Sequence, residues 1–166
     1  MAILFLFLTG FSKRTSDDRQ DFLEILKRFN KHYLHLGGNV PMATVGNAII
    51  GGFENPTNAL MCASGYLHTL RDLSIDAYAC VNMGTAAIRQ RENSDWVELV
   101  TDSISPGARL EPLASPGEVL VLEELQSHPG TDKEQFLFTK VSRQWKKLFD
   151  ASMAGVNVIC YQVQAR

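Results

Sequence analysis

Few residues in this 166-residue chain stand at spacings that serve chemistry. His32 and His35 lie three apart, one helical turn, which can bring two imidazoles to one metal ion. No third ligand accompanies them, and polar helix positions account for both. His68 and His128 have no partner close in sequence. Cys62, Cys80 and Cys160 are far apart, odd in number and without C-x-x-C spacing. They read as free buried thiols in a reducing compartment. Cys–His nucleophilic catalysis needs a base within hydrogen-bond reach and an oxyanion site, and nothing in the chain places them. Gly51-Gly52 suggests a phosphate cradle, but no Gly-Lys-Ser/Thr follows; small residues for packing a helix over a sheet explain the pair better.

The elements that must position any site begin with PMATVGNAIIGGF, residues 41–53. This stretch reads as two apolar strands, 40–45 and 48–53, joined by a tight Gly46-Asn47 turn whose residues tolerate positive φ. Ahead of it, AILFLFL (Ala2–Leu8) is a continuous apolar run, the pattern of a central strand buried on both faces. Ser16 caps a helix with Phe22, Ile25, Leu26, Phe29 and Tyr33 on one face, stopped by Gly37-Gly38. Asn55-Pro56 opens a second helix with Leu60, Ala63, Leu67 and Leu70 on its buried side.

Strands are then expected over 75–83, 96–100, 118–122, 136–141 and 157–163, with polar loops at 89–95 and 128–132. Ser105-Pro106 should start a short helix that Pro112 ends, and Trp145, Leu148 and Phe149 suggest another. The predicted order is βαββαβ with extra strands and short helices after it: an α+β fold with a ferredoxin-like core, in a single domain spanning residues 1–166.

Net charge is -2, which gives no electrostatic footprint for nucleic acid or an anionic membrane. No apolar run reaches membrane-spanning length, and the run 2–8 lacks a basic stretch before it, so neither membrane insertion nor a signal peptide is expected. A cytoplasmic protein is expected.

Four segments carry a resemblance to a known family. They are ILFLFLTGFS (3–12), ATVGNAIIGGFENPTNAL (43–60), ELVTDSISPGARLEPLASPGEVLV (98–121) and VNVICYQV (156–163). In this order they resemble the class III nucleotidyl cyclase catalytic domain, also called the cyclase homology domain. Residues 3–12 resemble its first strand followed by Gly-Phe-Ser. Residues 43–60 resemble its Lys-x-x-Gly-Asp-Ala hairpin, 98–121 its Ala-Arg-Leu and Pro-Gly-Glu segment, and 156–163 its last strand. The resemblance implies a head-to-tail dimer with composite sites between protomers. In active members two aspartates of one protomer hold two metal ions on a nucleoside triphosphate; the other offers base-reading residues, an Asn and an Arg.

Carried over residue by residue, that machinery is degenerate here. The first metal aspartate falls at Phe7, which reads as a core or interface aromatic, and the second at Asn47, which reads as a turn residue. The base-reading Lys falls at Ala43 and its partner at Glu98; the Asn falls at Ser105, a helix cap before Pro106. Glu98 keeps an acid, or is a solvated strand residue; Arg109 matches the family's Arg, as a contact for an anion or nucleotide or else a surface ion-pair residue. The expectation is a catalytically inactive regulatory or scaffolding signalling module, without metal or cofactor. It would pair with itself or with another cyclase-like or signalling protein. The alternative is a nucleotide or cyclic-nucleotide sensor that binds without turnover.

Overall fold

The computed structural model describes residues 1–9, 20, 27, 30–31, 33–38, 43–45, 48–90, 97–101, 110–144 and 157–166, without the side chains of 43–45, 86–90, 97–101 and 111. Nine strands are seen among them: β1 (Ala2–Leu8), β2 (Ala43–Val45), β3 (Ala48–Phe53), β4 (Ala77–Met83), β5 (Ala86–Gln90), β6 (Val97–Thr101), β7 (Val119–Val121), β8 (Phe136–Gln144) and β9 (Asn157–Ala165). Seven form one sheet in the order β2-β3-β1-β4-β7-β9-β8, while β5 and β6 pair separately. Its first four strands have the ferredoxin-like arrangement, with β1 between β3 and β4 and antiparallel to both. Every residue of β1 is buried, as its unbroken apolar run requires.

The sheet separates two apolar clusters because alternate side chains point to opposite faces. Leu4, Leu6 and Leu8 face the helix Pro56–Asp72, whose expected stripe of Leu60, Ala63, Leu67 and Leu70 is buried against them. That helix starts as its sequence dictates: Asn55 Oδ1 accepts the Thr57 N–H at 2.9 Å, and Pro56 occupies the first turn. It ends in a Schellman motif. Ser74 N–H donates to Arg71 O at 2.9 Å and Ile75 N–H to Leu70 O at 2.8 Å, with Ser74 at φ 56°. Ile75 thus belongs to the helix stop, and β4 begins at Ala77 rather than at 75.

The described part of the N-terminal helix, which includes residues 33–35, delivers Tyr33 to the edge of β3. Its hydroxyl donates to Gly52 O and accepts the Gly52 N–H, both at 3.0 Å. The pairing of β2 with β3 runs from Val45↔Ala48 to Ala43↔Ile50, so the tyrosine oxygen stands in for a neighbouring strand just beyond it. The ring needs Gly51 beneath it, where a Cβ would come within 2.8 Å of Cε2. Close packing against Tyr33, not a phosphate, accounts for this glycine.

Other expectations shift. Residues 86–90 form β5, where 89–95 reads as loop in the sequence, because the ladder with β6 satisfies their backbone groups. The strand expected over 118–122 is the shorter β7, followed by a helix at Glu123–Ser127 that sequence reading missed. Leu110 is helical and Pro112 follows it inside a 3-10 turn, Glu111–Leu113; the start of the helix expected at Ser105-Pro106 lies outside the described residues. β8 continues to Gln144 because β9 pairs with it throughout. The helix suggested by Trp145, Leu148 and Phe149 lies outside the described residues, as do 102–109.

Candidate functional site

The sheet face opposite the helix Pro56–Asp72 carries Ile3, Phe5 and Phe7 of β1, Ile50 of β3 and Cys80 of β4, with Leu110 and Leu113 packed against them. Phe7 is near the C-terminal end of β1, level with Ala48 on one side and Tyr78 on the other. It is only 5% exposed. Its ring stacks on Tyr78 with centroids 5.2 Å apart and 23° between planes, and on Phe5 at 6.4 Å and 8°. The sequence reading of Phe7 as a core or interface aromatic resolves here to core.

The first strand and the hairpin are therefore neighbours, and the hairpin's second arm starts opposite Phe7. Gly46 and Asn47, which join the arms, lie outside the described residues. Ala43 begins β2, opposite Ile50. Glu98 is in β6, level with Arg89 across the β5–β6 ladder, and β6 comes against β2. The fold thus brings the strands of Phe7, Ala43 and Glu98 to one end of the molecule's sheet system. Ser105 and Arg109 lie outside the described residues.

Sequence reading missed Tyr78, whose signal is its even spacing with Cys80 and Asn82 along β4, and a pair that no local pattern announces. Arg143 Nη2 of β8 lies 2.7 Å from Glu118 Oε1, and the other carboxylate oxygen accepts the Ser115 N–H at 2.8 Å. Cys160 is fully buried beside this pair; burial pushes its thiol pKa up, against a smaller opposing pull from Arg143. On the helix side, burial raises the Cys62 thiol to about 12. All three cysteines are buried thiols outside any disulfide, in keeping with the sequence reading.

The remaining candidates have local partners. His68, which looks solitary in sequence, lies 3.0 Å from Arg71 Nη2 through Nδ1 and 3.5 Å from Asp72 through Nε2, one helical turn on. His128 Nδ1 accepts the Gly130 N–H at 3.0 Å. His35 is exposed, and His32 lies outside the described residues. Among the described residues no three of His, Cys, Asp and Glu gather as a metal cage, and no helix is long and apolar enough to cross a membrane.

No protein-family model matches the sequence, and no curated protein matches it. Solved structures do match the fold. The guanylate cyclase domain of RhGC from Catenaria anguillulae, in complex with GTP, is 18% identical with a TM-score of 0.67, over 99% of this chain and 96% of that one. An adenylate cyclase from Trypanosoma brucei in its monomeric state is 14% identical with a TM-score of 0.70, over 98% and 88%. The adenylyl cyclase CyaB from P. aeruginosa is 16% identical with a TM-score of 0.67, over 98% and 92%. Across nearly its whole length, then, the chain has the α+β fold of the adenylyl and guanylyl cyclase catalytic domains.

Proposed function

We propose that this chain is a catalytically inactive cyclase-like domain, a regulatory or scaffolding signalling module that pairs with itself or with another cyclase-like or signalling protein. The observation that carries the reading is the burial of Phe7. On the residue-by-residue resemblance, position 7 takes the place of the first metal aspartate and position 47 that of the second. A phenyl ring held between Phe5 and Tyr78 at 5% exposure has no oxygen to offer a hard cation. Asn47 brings an amide without charge, whereas two adjacent dications need carboxylates to offset their repulsion. The residues present do not fit the ion pair, so no phosphoryl-transfer step is assigned to them.

The other half of such a composite site is equally altered. Ala43 has no hydrogen-bonding side chain where the base-reading Lys would stand, and Ser105 replaces the Asn; Glu98 and Arg109 remain. A chain lending half a site to an active partner needs the Lys, the Asn and the Arg together.

Incubation of the purified chain with manganese and ATP or GTP is expected to yield no cAMP or cGMP above a buffer control. Product above that control overturns the reading. Calorimetry with ATP, GTP and the cyclic nucleotides is expected to be silent; micromolar binding would turn the reading toward a sensor that uses Arg109. Sedimentation of the chain alone and mixed with candidate cyclases reads the pairing directly.

A further inference from the structure

The Arg143–Glu118 pair joins residues that a flat sheet would hold far apart. Val119 and Phe138 are both level with Val163, one from each side of β9, and β7 and β8 run in the same direction. Arg143 is therefore five residues farther along than the level of Val119, and Glu118 lies one residue behind it. At about 3.3 Å per residue and about 4.8 Å between strands, that six-residue offset is roughly 20 Å along the strands and roughly 10 Å across them. Side chains on a flat surface do not span it. The observed 2.7 Å contact requires the outer half of the β8–β9 ladder to curl back over the sheet.

The direction of the curl is fixed by packing. Val141 of β8 and Val158 of β9, both in that outer half, rest against the cluster that holds Phe5 and Phe7. Cys160 is buried within the same cluster. Glu118 is a prepared anchor, since the Ser115 N–H already holds one carboxylate oxygen.

We propose that the outer part of the β8–β9 ladder, residues 141–144 and 157–160, is a strap, latched over the Phe7 face of the sheet by Arg143 and Glu118, and that its release opens that face. As a control on pairing, the strap rests on the function proposed above; as a latch, it does not. Partner surface on this side becomes available only when the ion pair breaks. Both partners are half-buried, so high salt and charge loss at either one loosen the strap.

Thiol labelling of the full chain tests it, because each cysteine reports a different region. In the wild type all three should react slowly. Arg143→Gln is the cleaner variant, since it leaves the Ser115–Glu118 contact in place; it should raise the Cys160 labelling rate by about tenfold while Cys62 keeps its rate. Arg143→Lys should restore much of the protection, and Glu118→Arg with Arg143→Glu should restore part of it. Equal Cys160 rates in wild type and Arg143→Gln overturn the latch. So does a parallel rise at Cys62, which reports the whole fold loosening. Sedimentation separates the two claims: Arg143→Gln that labels fast and self-associates more supports the strap as a control. A chain that stays monomeric with the strap open removes that role and leaves the latch standing.

Discussion

Phe7 and Tyr78 stack face to face across the β1–β4 ladder, centroids 5.2 Å apart, so the position resembling a metal ligand is structurally part of the core. Reversal is then more than one substitution. Phe7→Asp would place a carboxylate among Phe5, Ile50 and Tyr78, losing the ring contacts and burying charge without a partner. We expect a loss of about 3–5 kcal/mol or more for Phe7→Asp and about 1 kcal/mol for Phe7→Leu, read by urea unfolding. Phe7→Asp with Asn47→Asp should therefore cost stability before it gains manganese. A double variant as stable as the wild type that binds manganese would show that room for the ions persists.

Tyr33 makes another kind of non-local contact, with one oxygen satisfying both backbone groups of Gly52. Tyr33→Phe keeps the edge-on packing against Phe53 but strands a buried N–H and C=O. The expected cost is about 1–3 kcal/mol, with faster amide exchange at Gly52 than at Ile49. Gly51→Ala should cost a similar amount by displacing the ring. An unchanged midpoint for Tyr33→Phe would mean that water replaces the hydroxyl.

What the sequence discloses and what it hides divide along local and non-local physics. The β1 run, the Asn55-Pro56 cap and the stripe on the helix that follows are legible because neighbours in sequence decide them. Tyr33 reads correctly as a buried helix residue, but nothing nearby says that its oxygen closes the edge of β3. The end of β5, Arg89 and Gln90, looks like loop because its backbone partners are in β6, and the helix Glu123–Ser127 is too short for a periodic signal and has no side-chain cap. Glu118 and Arg143 lie in separate parts of the chain, and only the curl of the β8–β9 ladder unites them. The strand order puts Phe7 on β1 and Ala43 on β2, with β3 between them, while Asn47, Ser105 and Arg109 stay matters of sequence.

Ser74 adopts φ 56° at the residue after the helix cap, a left-handed conformation that costs an L residue energy and glycine almost none. Its N–H bond to Arg71 O is a backbone contact and survives any side-chain change. Ser74→Gly is expected to stabilise the chain by about 0.5–1 kcal/mol, the relief of strain exceeding the added freedom of the unfolded chain. A lower urea midpoint for Ser74→Gly would mean that what the serine side chain contributes outweighs the strain.

Stability should fall at both ends of the pH scale for opposite reasons. The Cys62 thiol is raised from 9.0 to about 12 by burial, so below pH 9 it is protonated folded or unfolded and contributes no pH dependence. Between about 9 and 12 only the unfolded chain releases the proton, and stability declines as pH rises through that window. Asp132 behaves in the other sense. Backbone N–H groups of Gln135 and Glu134 hold its carboxyl below 3.8, so its contribution is present above that value and is lost as pH falls through the folded pKa. Cys62→Ala should flatten the alkaline limb of the unfolding midpoint relative to its own value at pH 7, and Asp132→Asn the acid limb. An alkaline limb of the same slope in Cys62→Ala would assign that decline to another group, with Tyr66, whose hydroxyl burial also raises, the next to test.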